Sequence, residues 1–255
     1  MDLHVEAAGR GPAVLWLHGY TMDSTLWRPL WDLLPGFRHL GVDLPGHGRS
    51  GPLTGGETLP AVAAAVAGVA AAERASRVVA LSFGSCVALE LAAGWPALVT
   101  RLAIAAPTIA GAQPPDGVAA RELQLALLHK MAGPGPHLTR LWMTSPPDIF
   151  RGTEDHPRLR GRLREVIDGH RWGELTSGSM RTLGTHVHTD LALAAISAAT
   201  LVITGDRDMP AFEANAARLA AVLPHCSLLT VPMAGHLCLL ERPAAVAAPL
   251  RGHLR

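Results

Sequence analysis

The sequence predicts an α/β fold in which a mostly parallel, doubly wound sheet carries helices on both faces. Six short apolar runs indicate strands buried on both faces: 13–17, 37–42, 77–81, 101–106, 200–204 and 227–231. Helix-like segments alternate with them, at 24–34, 58–73, 84–93, 210–223 and 243–254. This alternation is typical of a parallel sheet, because parallel neighbours are joined by crossover helices.

The alternation stops between about Thr108 and Ala195, where no further sheet strand is evident. The segment contains helix-like stretches at 116–131, 138–143 and 157–168 and in part of 172–185. We therefore predict a core formed by residues 1–107 and 196–255 and an inserted helical cap at 108–195. The alternative is that some of these helices are ordinary crossovers of the sheet.

Composition limits the classes of partner. The 255 residues are 49% hydrophobic and carry a net charge of +1, which suits one large globular domain. Lys130 is the only lysine and the arginines are scattered, so a nucleic-acid surface is not predicted. The longest apolar run, residues 59–72, is too short to span a bilayer.

The compartment is predicted from the N-terminus and the cysteines. The first residues, "MDLHVEAAGRGPAV", have neither a basic region nor a long apolar run, so a signal peptide is not expected. Cys86, Cys226 and Cys238 are an odd number in apolar surroundings and do not suggest a disulfide framework. We expect a cytoplasmic protein without membrane contact, of undetermined oligomeric state.

The stretch "ALSFG", residues 80–84, suggests a nucleophile. It joins the strand at 77–81 to the helix at 84–93, and the small residues Ala80 and Gly84 flank Ser82 two positions away on either side. Small residues allow a strand and a helix to meet at a sharp turn that exposes the middle side chain. The alternative is that Ser82 only caps the following helix.

A serine nucleophile needs a base, and the base needs a carboxylate that orients it. The loop after the strand at 200–204 is "GDRDMP" and offers Asp206 and Asp208. The loop after the strand at 227–231 is "PMAGHLCLLERP" and offers His236. Loops at the carboxyl ends of parallel strands gather in one crevice, so these side chains are expected near Ser82.

Four motifs make the sequence resemble the α/β-hydrolase superfamily over nearly the whole chain outside the cap. They are "LHGY" at 17–20, "DLPGHGRSG" at 43–51, "ALSFG" at 80–84 with alanine in place of the usual first glycine, and the acid and histidine loops. The chain order serine, aspartate, histidine is also that of the superfamily.

The resemblance implies an α/β-hydrolase fold and roles for individual residues. Ser82 would be the nucleophile, His236 the base and Asp208 the acid, because the acid stands three residues after the loop glycine. The N–H groups of Tyr20 and Phe83 would form the oxyanion hole, while their side chains line the pocket. His18 and His47 would brace loops, and no cofactor is implied.

Two further features allow other interpretations. "THVHTD" at 185–190 is similar to part of a zinc motif, but it lacks a terminal histidine and lies just before a core strand, so no metal is predicted. Trp142 and Trp172 in the cap either line a ligand site or form the cap's own core. Val118, Leu123, Leu127 and Met131 are expected to be buried against the mouth of the site.

We predict a cofactor-independent serine hydrolase that cleaves an ester, lactone or thioester of a small-molecule acyl substrate. Serine rather than aspartate at the turn argues against the epoxide-hydrolase and dehalogenase branches of the superfamily. The alternatives are a carbon–carbon bond hydrolase with the same triad, a hydrolase-like ligand receptor, or a lyase or cyclase that uses the same pocket.

Overall fold

A computed structural model describes residues 1–255 and contains one seven-stranded sheet. The strands, in chain order, are β1 Val5–Gly9, β2 Ala13–Leu17, β3 Arg38–Val42, β4 Arg77–Leu81, β5 Arg101–Ala105, β6 Ala199–Gly205 and β7 Cys226–Val231. Their spatial order is β1-β3-β2-β4-β5-β6-β7. Only β1 is antiparallel to its neighbour, so the predicted mostly parallel sheet is confirmed.

Twelve α-helices connect or flank these strands. They are α1 Arg28–Trp31, α2 Leu59–Ala72, α3 Phe83–Gly94, α4 Val118–Ala132, α5 Pro136–Trp142, α6 Pro157–Asp168, α7 Glu174–Ser177, α8 Ser179–Leu183, α9 Asp190–Ala194, α10 Pro210–Val222, α11 Cys238–Glu241 and α12 Pro243–Leu254. Short 3₁₀ helices precede α1, at Ser24–Trp27, and α6, at Asp148–Thr153. None of the helices combines the length and the apolar composition needed to cross a bilayer.

The central strands are buried on both faces because two apolar clusters cover the sheet. In β4, Val78 and Ala80 pack with α2 and α3, whereas Val79 and Leu81 pack on the opposite face with α11 and α12. This explains why β4 is an unbroken apolar run rather than an alternating one.

Thr58 caps the N-terminus of α2, since its hydroxyl accepts a hydrogen bond from the Ala61 N–H.

The edge strands differ from the sequence prediction. β1 was not predicted, because "VEAAG" is half-exposed and lacks an apolar run. β7 is predicted to be buried on both faces, but only Val231 of this strand is buried, and Leu228 is 57% exposed. As the edge strand, β7 has one neighbour in the sheet and fewer elements packed against it.

The segment between β5 and β6 contains helices α4 to α9 and no strand. Leu125, Leu138 and Leu163 of its first three helices join the apolar cluster that also contains α11 and α12. Leu193 of α9 packs instead in the cluster of α2 and α3, so the end of the predicted cap lies against the core.

Candidate active site

Ser82 stands at the sharp turn between β4 and α3. Its backbone has φ 52° and ψ −120°, a left-handed conformation that L-residues rarely adopt. The turn is held on both sides, because the Ser82 N–H donates to the Ala105 carbonyl at 3.0 Å and its own carbonyl accepts from the Ser85 N–H at 2.8 Å. The Ser82 hydroxyl does not cap α3, so the capping alternative is wrong.

Small residues are needed here because the helix approaches the neighbouring strand closely. A methyl group at Gly84 would overlap the backbone carbonyl oxygens of Leu17 and His18. Glycine at this position therefore lets the start of α3 lie against the end of β2, next to the loop that carries Tyr20.

The loops after β6 and β7 bring an acid and a base to Ser82. His236 Nε2 lies 2.8 Å from Ser82 Oγ, and His236 Nδ1 lies 3.0 Å from Asp208 Oδ1. The side chains of His236 and Asp208 are completely buried. The Phe212 ring packs against the imidazole, with 4.1 Å between the two ring centroids. An Nδ1–H donated to the carboxylate leaves Nε2 free to accept the serine proton.

Asp206, the alternative acid, lies elsewhere. Its Oδ1 accepts a hydrogen bond from the Ala234 N–H at 3.1 Å, within the turn that leads to His236. Hydrogen bonds from the backbone N–H groups of Met233 and Ala234 lower the pKa of the exposed Asp206 carboxyl. Asp206 therefore stabilises the histidine loop without contacting the imidazole.

The loop after β2 presents a backbone N–H next to Ser82. His18 Nε2 accepts from the Leu44 N–H at 2.9 Å, so its neutral ring carries the proton on Nδ1 and donates it to the Gly19 carbonyl at 2.8 Å. Because this carbonyl belongs to the peptide that carries the Tyr20 N–H, His18 fixes the direction of that N–H. The Tyr20 N–H donates no hydrogen bond within the protein.

Phe83 supplies a second candidate donor. It is the first residue of α3, where backbone N–H groups have no acceptor within the helix. The Tyr20 loop is adjacent, since a methyl group at Gly19 would lie 3.5 Å from Ser82 Cβ. Two uncommitted N–H groups, those of Tyr20 and Phe83, therefore flank the serine.

Comparison with known proteins identifies the family. The sequence pattern of the alpha/beta hydrolase family matches residues 14–248. The chain belongs to the α/β hydrolase family.

Individual relatives agree with this assignment. The chain is 35% identical to a pimeloyl-[acyl-carrier protein] methyl ester esterase of Xanthomonas campestris pv. campestris, over 97% of both chains. It is 29% identical to a lipase of Mycobacterium tuberculosis, over 100% of this chain and 98% of the lipase. The structure of a thermophilic esterase from Thermogutta terrifontis is also similar, with a TM-score of 0.79, 26% identity and coverage of 98% and 92%.

In this α/β hydrolase, helices of the inserted segment contact the Tyr20 loop directly. The Tyr20 hydroxyl donates to Glu174 Oε1 of α7 at 2.6 Å, and His170 Nε2 lies 3.0 Å from the same oxygen. Burial alone would raise the pKa of the Glu174 carboxyl, but the hydrogen bonds and charge of His170 outweigh it and leave the pKa below its usual value. Sequence reasoning missed this network, because it joins residues about 150 positions apart.

The two tryptophans of the inserted segment are buried next to this loop. Trp142 Nε1 donates to the Thr21 hydroxyl at 2.8 Å, and its ring meets the Tyr20 ring edge-on at 5.4 Å. Trp172 packs edge-on against His170 at 4.9 Å. The expectation for α4 was wrong: Leu123, Leu127 and Met131 are exposed, and only Arg121 and Leu125 of this helix are buried.

The "THVHTD" segment of the hydrolase meets a third potential metal ligand. Glu90 of α3 lies 2.8 Å from His186 Nε2 and 3.4 Å from His188 Nε2. However, His188 Nδ1 accepts from the Ala110 N–H at 3.1 Å, so in the neutral ring the proton is on Nε2, the atom that faces Glu90. An Nε2–H cannot bind a metal ion, so the cluster offers two ligands rather than three.

Proposed function

We propose that the protein hydrolyses carboxylic esters through an acyl-enzyme formed on Ser82. The observation that supports this is the continuous pair of hydrogen bonds from Ser82 Oγ to His236 and from His236 to Asp208. The esterases and the lipase among its relatives support an ester as the bond that is cleaved.

The first half-reaction forms the acyl-enzyme. Ser82 Oγ attacks the carbonyl carbon of the ester while His236 Nε2 takes the hydroxyl proton, and Asp208 stabilises the imidazolium. The N–H groups of Tyr20 and Phe83 hold the negative oxygen of the tetrahedral intermediate. When the carbon–oxygen bond to the alcohol breaks, His236 returns the proton to the leaving alkoxide.

The second half-reaction releases the acid. Water attacks the acyl carbon, His236 Nε2 takes its proton, and the second tetrahedral intermediate collapses with departure of Ser82 Oγ. The serine recovers its proton from His236, and the carboxylic acid leaves. Each proton and bond in these steps is accounted for by Ser82, His236, the ester and water.

The inserted helices are proposed as the cap that closes this pocket. Tyr20, whose backbone would hold the oxyanion, contacts Glu174 and Trp142 of the insertion through its side chain. The acyl group would therefore lie between the sheet edge and these helices, which exclude water from the reaction. A cytoplasmic location stays a prediction from the sequence.

Covalent labelling tests the assignment of the nucleophile. A fluorophosphonate probe should modify wild-type protein at Ser82, and Ser82→Ala should abolish both labelling and ester turnover. Ser85→Ala is the matched control, since Ser85 is a buried neighbour whose hydroxyl bonds the Ser82 carbonyl. An adduct on Ser85 or on any other serine contradicts the proposal.

A substrate panel then separates ester hydrolysis from the alternatives. It should contain simple methyl and aryl esters, lactones, thioesters, a carbon–carbon substrate and a methyl ester carried on an acyl-carrier protein, as in the name of the Xanthomonas relative. Multiple turnovers on oxygen esters support the proposal. A single labelling event without turnover of any substrate would identify a ligand receptor instead.

A further inference from the structure

Glu241 is a buried carboxylate that the proposed reaction does not use. It is the last residue of α11 and follows the apolar run Cys238–Leu240, and it is only 4% exposed. No arginine, lysine or histidine forms an ion pair with it. A charge in such a place needs fixed hydrogen-bond donors.

The donors are the two backbone N–H groups that flank His236. Glu241 Oε2 accepts from the Gly235 N–H at 2.6 Å, and Oε1 accepts from the Leu237 N–H at 3.0 Å. One side chain therefore fixes the Ala234–Gly235 and His236–Leu237 peptides, one on each side of the histidine, and so restrains the backbone that carries the imidazole. Burial raises the pKa of the Glu241 carboxyl above its usual value. The hydrogen bonds from the Gly235 and Leu237 N–H groups offset part of this rise.

The inserted segment closes this arrangement from outside. Gly152 lies directly over the carboxylate, and a methyl group at that position would overlap both oxygens of Glu241. A methyl group at Gly235 would in turn lie 3.2 Å from the Gly152 Cα. The close approach requires glycine and keeps water away from the hydrogen bonds to the histidine loop.

We propose that Glu241 is a positioning residue for His236, which holds the imidazole in line between Ser82 and Asp208 through the backbone of its own loop. The inference rests on the proposed function, because it assumes that His236 is the base. Proton transfer is sensitive to such alignment, and a displacement of about 1 Å can cost about a hundredfold in rate. Glu241 itself touches neither the substrate nor the serine.

The primary test is Glu241→Gln, which keeps the shape of the side chain. The amide has one acceptor oxygen, so one flanking N–H keeps its partner and the other faces an NH₂ group. We expect kcat and the rate of fluorophosphonate labelling to fall about ten- to hundredfold while KM changes less than about twofold. Proton NMR should show the His236 Nδ1–H resonance shifted or broadened.

Glu57→Gln is the matched control. Glu57 also accepts from two backbone N–H groups, those of Thr54 and Gly55, but it lies in the loop before α2. Its substitution should leave kcat, labelling and the His236 resonance as in the wild type.

A second pair of variants tests the same point without removing the carboxylate. Gly152→Ala should reproduce the Glu241→Gln effects, because the added methyl group would overlap the carboxylate. Gly161→Ala, with open space at its Cβ, should not.

The possible outcomes are distinct. If the wild type is labelled at Ser82 but Glu241→Gln has wild-type kcat and an unchanged His236 resonance, the inference is overturned, even when the melting temperature falls. If Glu241→Gln does not fold, the inference is tested by comparing Gly152→Ala with Gly161→Ala in kcat, labelling rate and the His236 resonance. Equal values for these two variants would then overturn it. If the wild type is not labelled at Ser82, it is the proposed function that fails.

Discussion

At the scale of single residues, each group of the site is held by specific hydrogen bonds. His236 bonds Ser82 and Asp208, His18 fixes the peptide that carries the Tyr20 N–H, and Glu241 holds the histidine loop. Ser82, His236 and both aspartates could be found from the sequence, because they follow strands at one edge of a parallel sheet. Glu241 could not be assigned, although a carboxylate within the run "LCLLERP" is an unusual signal.

The two aspartates of "GDRD" should differ strongly in their effect on rate. Asp208→Asn removes the carboxylate that holds His236 Nδ1–H, and the loss in kcat should approach the roughly 10⁴-fold seen for the equivalent change in serine proteases. Asp206→Asn weakens only the bond to the Ala234 N–H, so kcat should fall far less. Steady-state kinetics of both variants on one ester provide the measurement; the opposite ranking would make Asp206 the acid.

At the scale of secondary-structure elements, the apolar runs predicted six of the seven strands and missed only the half-exposed edge strand β1. β4 and β5 are covered on both faces and are unbroken apolar runs, whereas β1 is half-exposed and carries a mixed sequence. The face of α4 was predicted wrongly because its sequence, "ELQLALLHKM", places leucines on more than one side of the helix. Which side is buried depends on α5 and α7, and helical spacing alone does not contain that information.

The contact between α5 and the Tyr20 loop should affect rate more than stability. Trp142→Phe keeps an aromatic ring but loses the hydrogen bond to Thr21, whose hydroxyl also bonds the Tyr20 carbonyl. We expect kcat to fall several-fold with a small change in melting temperature, because the loop that carries the Tyr20 N–H is held less firmly.

Trp31→Phe is the control for that variant. Trp31 is equally buried, but its Nε1 has no hydrogen-bond partner and its ring stacks on His39, away from the Tyr20 loop. Its substitution should change the melting temperature without changing kcat. Equal kcat values for the two variants and the wild type would mean that the α5 contact has no influence on the reaction.

At the scale of the whole molecule, buried histidines should make the fold sensitive to acid. Burial lowers the pKa of the buried His18, His39, His47 and His188 and of the half-buried His253. For His188 the pKa falls from 6.5 to about 4. Between these two values the unfolded chain binds more protons than the folded one, so stability falls as the pH is lowered through this window.

Thermal melts between pH 7.5 and 4.5 measure the effect. The melting temperature should decrease towards the acid end, and His188→Asn, which keeps an acceptor for the Ala110 N–H, should show a shallower decrease. Thr189→Ala is a neighbouring control that loses a bond to the Ala192 N–H without removing a titrating group, so it should lower the melting temperature equally at each pH. Parallel curves for His188→Asn and the wild type would contradict this prediction.

The pairing of Ala110 with His188 has a consequence for how such a protein can change over evolution. The Ala110 carbonyl accepts from the His188 N–H at 2.9 Å, and the Ala110 N–H donates back to the imidazole, so the two ends of the inserted segment meet. An insert whose ends meet can be lengthened, shortened or exchanged without moving the strands on either side of it. Changes in the insert can therefore accumulate while the loops that carry Ser82, Asp208 and His236 keep their places.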